Sequence, residues 1–190
     1  MKKRLVCAFA MAFAFVWGMT SNAADQPPQV GSTLPALKLV KPADAGDLKY
    51  LGLSGGGTFS VDDVRVQAVI IQIFSMYCPY CQKDAPNVNR LFSLIENNPN
   101  LKGKIKIIGI GAGNTSFEVA TFKKKYQIEF ALVPDGDFKI HKIIGEVRTP
   151  YFIVLKMSGP KKPEVVFSKL GAHESINNFL NDVIRLADVR

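Results

Sequence analysis

Two cysteines, Cys78 and Cys81, stand two residues apart in Ser75-Met76-Tyr77-Cys78-Pro79-Tyr80-Cys81. A pair at this spacing on one helical turn can close a disulfide, open it again, or hold a metal. The residues in front of it decide between these. Ala68 to Phe74 reads AVIIQIF, a near-continuous apolar, β-branched run of the kind that forms a buried central strand. Behind the pair, Cys81, Ala85, Val88, Phe92 and Ile95 recur at alternating spacings of four and three, which is one face of a helix. Cys78 therefore sits where a strand hands over to a helix. Pro79 takes the first helical position, where a missing N–H costs nothing. The unpaired amides and dipole of that helix end favour a thiolate, so the Cys78 pKa is expected to be depressed.

Cys81 falls one turn later and deeper, in the place of a resolving thiol. The chemistry that follows is thiol–disulfide exchange. The Cys78 thiolate attacks a substrate disulfide, a mixed disulfide forms, and Cys81 displaces the substrate thiol. Zinc needs two further ligands, and the two histidines, His141 and His173, are far apart in sequence, so a metal is not expected. Residue 82 is Gln, which excludes a CxxCH haem attachment. No cofactor is implied.

The N-terminus bears on the redox setting. Lys2, Lys3 and Arg4 form a basic head, Leu5 to Met19 is apolar, and Ser21 and Ala23 are small residues at the positions a signal peptidase reads. Residues 1–23 are read as an export signal, with an uncleaved membrane anchor as the alternative. Cleavage would leave 167 of the 190 residues, lower the formal charge from +8 to +5, and remove Cys7, the third cysteine. A lone CxxC in an oxidising compartment such as the periplasm is a redox unit rather than a stabilising framework. Composition agrees with one globular domain: 47% hydrophobic, 21% charged, too polar for a multi-span membrane protein and too apolar for disorder.

Residues 24–33, with Pro27, Pro28 and Gly31, read as a flexible lead-in, and residues 34–190 as one domain. Leu34 to Val40 is expected as a strand. Leu48 to Val61 is expected as two short strands turning at Gly55–Gly57. Ile105–Ile110, Tyr151–Leu155 and Val165–Ser168 are further strands, and Phe130–Val133 is a short apolar piece. Helices are expected after Asn114–Ser116, over Phe138–Ile144 and from about Glu174. This order describes an α/β domain, a central mixed β-sheet flanked by helices on both faces. Lys123, Lys124 and Lys125 read as a solvated helix face, and nothing interleaves aromatic and basic residues as a nucleic-acid site would.

The chain resembles the thioredoxin superfamily. The apolar strand precedes CPYC, Pro86 lies five residues beyond Cys81, and Gly145 lies five before Pro150 in Thr149-Pro150. The N-terminal β-hairpin and an inserted α/β segment, Gly111 to Val133, are most similar to the exported TlpA/ResA-like branch. That branch shares its expanded fold with peroxiredoxins. The resemblance implies a cis Pro150 against the cysteines, with Thr149 offering its backbone to a bound substrate. Met76, Tyr77, Pro79 and Tyr80 would form the surrounding contact surface. It implies a reductant of protein disulfides, for instance in cytochrome c maturation; a monomer is expected because the N-terminal hairpin does not look like a dimerisation domain. Its partners would be thiol- or disulfide-containing proteins and an electron-donor thiol protein, a membrane-bound one included.

Two positions depart from the family. Gln72 stands where many thioredoxins carry a buried acid, so another group must move the Cys81 proton, and Tyr77 replaces the usual tryptophan. Two alternatives stay open. One is a thiol peroxidase with Cys78 peroxidatic, suggested by Ser75 and by Arg148 before Thr149-Pro150. The other is a redox-inactive binding protein.

Overall fold

A computed structural model describes residues 26–158 and 162–190. The expected export signal lies outside the described residues. Among the described residues no helix is long and apolar enough to cross a membrane.

Five strands form the central sheet: β3 (Ala68–Phe74), β4 (Ile105–Ala112), β5 (Ala131–Asp135), β6 (Tyr151–Lys156) and β7 (Glu164–Leu170). Their spatial order is β5-β4-β3-β6-β7. β3, β4 and β5 run parallel, while β6 and β7 are antiparallel to their neighbours, so the sheet is mixed as expected. β3 lies at its centre and every residue of it is buried, which is why its sequence is apolar without alternation. Helices cover both faces. α2 (Pro79–Glu96), α3 (Ser116–Lys125) and α5 (Ile176–Leu186) pack on Ile70, Phe74, Phe152 and Val154. The opposite face, Val69, Ile71, Ile73 and Ile153, is closed by α4 (Lys139–Ile143) and the N-terminal residues Leu37, Leu39, Leu51 and Phe59.

The N-terminal region differs from the expected hairpin. β1 is only Leu39–Val40 and β2 only Thr58–Phe59; they pair antiparallel in a sheet of their own. A helix, α1 (Ala45–Leu51), joins them in place of a strand and a glycine turn. The local reason is a cap. The Asp44 side chain accepts the Asp47 N–H at 2.9 Å, and Gly52 ends the helix at φ 70°. The lead-in is tied down at its C-terminal end. Gly31 N–H donates to the Val165 carbonyl, Val165 N–H to Ser32, and Leu34 N–H to Pro163, so this stretch adds to the outer edge of β7.

Two further differences concern the segment 111–135. All but the first residue of the apolar piece at Phe130–Val133 lies in β5, which extends the parallel side of the sheet to its edge. On α3 the lysines are not equivalent. Lys123 Nζ lies 2.8 Å from Asp47 and 2.6 Å from the Phe130 carbonyl, half-buried, while Lys124 and Lys125 are exposed. A basic run on a helix cannot announce such a partner, because Asp47 comes from α1, 76 residues away.

Candidate active site

Cys78 caps the N-terminus of α2 with extended backbone, and Pro79 occupies the first helical position. The loop before it is gripped from both sides. Met76 N–H donates to Asn114 Oδ1 at 2.8 Å, and Gln82 Nε2 donates to the Met76 carbonyl at 2.7 Å. Cys78 N–H closes a turn onto the Ser75 carbonyl at 3.1 Å. Asn114 is fully buried at the end of β4, so its grip carries the position of the sheet into the reactive loop.

The Cys78 thiol is half-buried and donates to the Thr149 carbonyl at 3.3 Å. The next peptide bond, Thr149–Pro150, is cis, and Pro150 is buried. Burial raises the Cys78 pKa. The Thr149 side chain, the Cys81 amide and thiol and the Tyr80 amide outweigh it, and the result lies below the ordinary thiol value. Cys81 is different. It is 1% exposed among the side chains of the α2 face, and burial pushes its pKa up to about 12. The two thiols are thus separated into a half-buried, more easily ionised group and a fully buried one that holds its proton.

Around them the remaining residues take unequal places. Tyr77 and Tyr80 are 65% and 74% exposed, on the surface beside Cys78, and Pro79 is exposed between them. Tyr77 O–H donates to Glu118 Oε1, fastening the loop to the start of α3. Met76 is half-buried and packs against the α2 core, so its backbone rather than its side chain shapes the site. Tyr80, Thr149 and Pro150 line one groove, of about 480 Å³. Ser75, Tyr77 and Thr149 line a second on the other side, with Phe138 and His141.

One residue was not singled out by its sequence position. Asp84 lies one turn beyond Cys81 on the same buried face of α2, is 2% exposed, and lines the first groove. Its Oδ1 accepts from Asn87 at 3.1 Å, while Oδ2 is buried without a partner among the described residues. Burial raises its pKa above the usual carboxylate range, partly offset by Asn87. An acid on an apolar helical face, three residues after the second cysteine, is the signal that could have marked it. Gln72 is buried in β3 on the face shared with Ile70 and Phe74. The histidines go elsewhere. His141 Nε2–H donates to the Val147 carbonyl at 2.8 Å. His173 stacks on Phe179 at 3.5 Å, and burial, with Lys169 nearby, lowers its pKa to about 4.

Residues 30–171 match the AhpC/TSA family. The chain belongs to the AhpC/TSA family. Within this family setting it is similar to the thiol-disulfide oxidoreductase ResA of Bacillus thuringiensis subsp. konkukian, 25% identical over 111 residues. That match covers 58% of this chain and 61% of the relative, so the chain spans about three fifths of the curated relative's length. Its fold is that of a secreted Mycobacterium tuberculosis disulfide oxidoreductase homologous to Escherichia coli DsbE. That likeness has a TM-score of 0.53 at 17% identity and covers 68% of this chain and 90% of the other. A thiol:disulfide interchange protein from Bacteroides sp. gives 0.60 at 16%, over 85% and 91%. This AhpC/TSA member thus has the thioredoxin-like α/β fold, with its two cysteines at the β3–α2 junction.

Proposed function

We propose that the protein is an exported thiol–disulfide oxidoreductase in which Cys78 exchanges and Cys81 resolves. The observation that carries this is the split between the two thiols. Cys78, at the N-terminus of α2 beside the Thr149 side chain and the Cys81 and Tyr80 amides, is held below the ordinary thiol pKa, while burial pushes Cys81 up to about 12. The Cys78 thiolate attacks one sulfur of a substrate disulfide. The Cys78–substrate bond forms as the substrate S–S bond breaks, and the departing thiolate takes a proton. Cys81 then attacks Cys78, the intramolecular disulfide forms, and the second substrate thiol leaves. The substrate is reduced by two electrons and the pair is oxidised by two.

Resolution requires Cys81 to lose a proton at neutral pH. Asp84, on the same buried face and with a free carboxyl oxygen, is the group that takes it, filling the role that Gln72 cannot. The segment Thr149–Pro150 lies against Cys78, so an extended substrate would pair with its backbone there. Tyr77, Pro79 and Tyr80 supply exposed contact surface on the other side. Export is supported by the basic head, apolar run and small-residue exit of residues 1–23 and by the secreted relative. The direction proposed is reduction of protein disulfides, with a second thiol protein returning the electrons and the protein acting as a monomer.

The test is the reduction potential of the Cys78–Cys81 couple, measured on the folded domain, together with trapping by Cys81→Ser. A potential near that of thioredoxin (about −270 mV) and a stable mixed disulfide on Cys78 are expected; a value near about −120 mV overturns the reductant assignment. A thiol peroxidase is the second reading, favoured by Arg148 next to Thr149. The sulfur's partner here, however, is the Thr149 carbonyl, and Arg148 is exposed on the groove wall. Rapid Cys78-dependent consumption of hydrogen peroxide would replace the first reading with the second.

A further inference from the structure

The groove beside the cysteines carries a charge pattern that the exchange chemistry does not use. One wall is the start of α2, with Tyr80, Lys83 and Asp84; the other is Arg148, Thr149 and Pro150, and Leu170 closes the end. Lys83 and Arg148 are exposed, and among the described residues neither takes part in an ion pair or hydrogen bond. Both cations line the groove that holds Thr149 and Pro150. The lining holds these two cations against a single carboxyl, the buried Asp84, so the groove is basic on balance. Tyr80 and Leu170 give the groove apolar area, and about 480 Å³ is in the range of a site for a short chain segment.

Resting on the proposed oxidoreductase activity, we infer that the preferred substrate is an extended polypeptide segment with a carboxylate side chain next to its cysteine. Its cysteine sulfur meets Cys78, its backbone lies along Thr149–Pro150, and its carboxylate lies between Lys83 and Arg148. Two exposed charge pairs favour such a segment roughly fivefold at low salt, and the preference fades as salt screens them.

The experiment uses the reduced protein and short synthetic peptides, each with one cysteine blocked as a 2-pyridyl disulfide. One peptide flanks the cysteine with aspartate and the other with lysine. Attack by Cys78 on the peptide sulfur releases pyridine-2-thione, read by absorbance; Cys81 then frees the peptide thiol. Each rate is divided by the same peptide's rate with 2-mercaptoethanol, which removes intrinsic reactivity. The acidic peptide is expected to react roughly fivefold faster than the basic one, and the ratio to approach one in the Lys83→Glu/Arg148→Glu double variant and at high salt. Because both rates come from one preparation, the ratio is independent of how much of the variant is folded. Equal rates in the wild type, a faster basic peptide, or an unchanged ratio in the double variant overturns the inference. A wild type that also fails to reduce the uncharged 2-hydroxyethyl disulfide overturns the oxidoreductase reading itself, and this inference with it.

Discussion

The double grip on Met76 is the feature that a single substitution tests most directly. Asn114→Ala removes the Oδ1 that accepts the Met76 N–H at 2.8 Å. Asn114 is 0% exposed, so water does not readily replace it, and a buried unpaired N–H costs about 1–3 kcal/mol. The Asn114 Nδ2 has no partner among the described residues, so its loss returns part of that cost. A net destabilisation of about 2 kcal/mol follows. Gln82→Ala removes the other half of the grip, the 2.7 Å bond to the Met76 carbonyl. Gln82 is only half-buried, water can take its place, and about 1 kcal/mol is expected. Because both side chains hold the backbone of one residue, the double variant should depart from additivity by about 0.5 kcal/mol or more. Urea unfolding of the reduced protein measures all three. With a slope of about 2 kcal/mol/M, Asn114→Ala lowers the midpoint by about 1 M at unchanged slope. Loosening the loop also misaligns Cys78 with the amides of Tyr80 and Cys81, so iodoacetamide should reach half-maximal rate at higher pH in both variants. Single variants within about 0.3 kcal/mol of wild type, with an unshifted alkylation profile, would refute the idea that this grip positions Cys78.

The other predictions rest on separate parts of the structure. At neutral pH iodoacetamide should modify Cys78 and spare Cys81, since the first thiol is held below its ordinary pKa and the second is pushed to about 12; mass spectrometry of the peptides decides this. Asp84 holds its proton more tightly folded than unfolded, so wild-type stability should fall as pH rises from about 3.8 through its raised native pKa. Asp84→Asn should remove that fall, leave a more stable fold at neutral pH, and slow resolution of a mixed disulfide on Cys78. An equal pH slope in both proteins would count against a buried, partly unpartnered carboxyl. Lys123→Ala strands the buried Asp47 carboxylate that lies 2.8 Å from Lys123 Nζ and should cost about 3 kcal/mol, whereas Lys124→Ala should cost under about 0.5 kcal/mol. Gly109→Ala brings a methyl to 2.3 Å from Leu132 Cδ2 beneath the sheet, and overpacking there should cost about 1–3 kcal/mol.

Much of the fold was legible because hydrophobic period is local. The unbroken β-branched run at Ala68–Phe74 read as a central strand and the three-and-four spacing after Cys81 as a helix, and both formed there. The same local logic misled at Ala45–Leu51. There the three glycines at Gly55–Gly57 suggested a hairpin turn, while the signal that won was a single capping side chain, Asp44. The lead-in at Gly31–Leu34 carries loop residues, yet it gains order from the edge of β7, some 130 residues away in the chain.

For the site the division is sharper. The order strand, Cys78, Pro79, helix determines by itself that one thiol faces the positive end of a helix and that the other lies one turn deeper. Both consequences need only the geometry of a single turn and the direction of a dipole. Everything that crosses the chain was decided by tertiary structure. Thr149 reaches Cys78 from 71 residues away, and Asn114 holds Met76 from 38. Asp84 is buried in the groove lining, and Lys83 and Arg148 share that groove, only because α2 and the Thr149–Pro150 segment meet at the end of β3. Local interactions have a fixed spacing that a sequence displays. Contacts between distant segments depend on how the sheet and helices pack, and no single stretch of the chain encodes that packing.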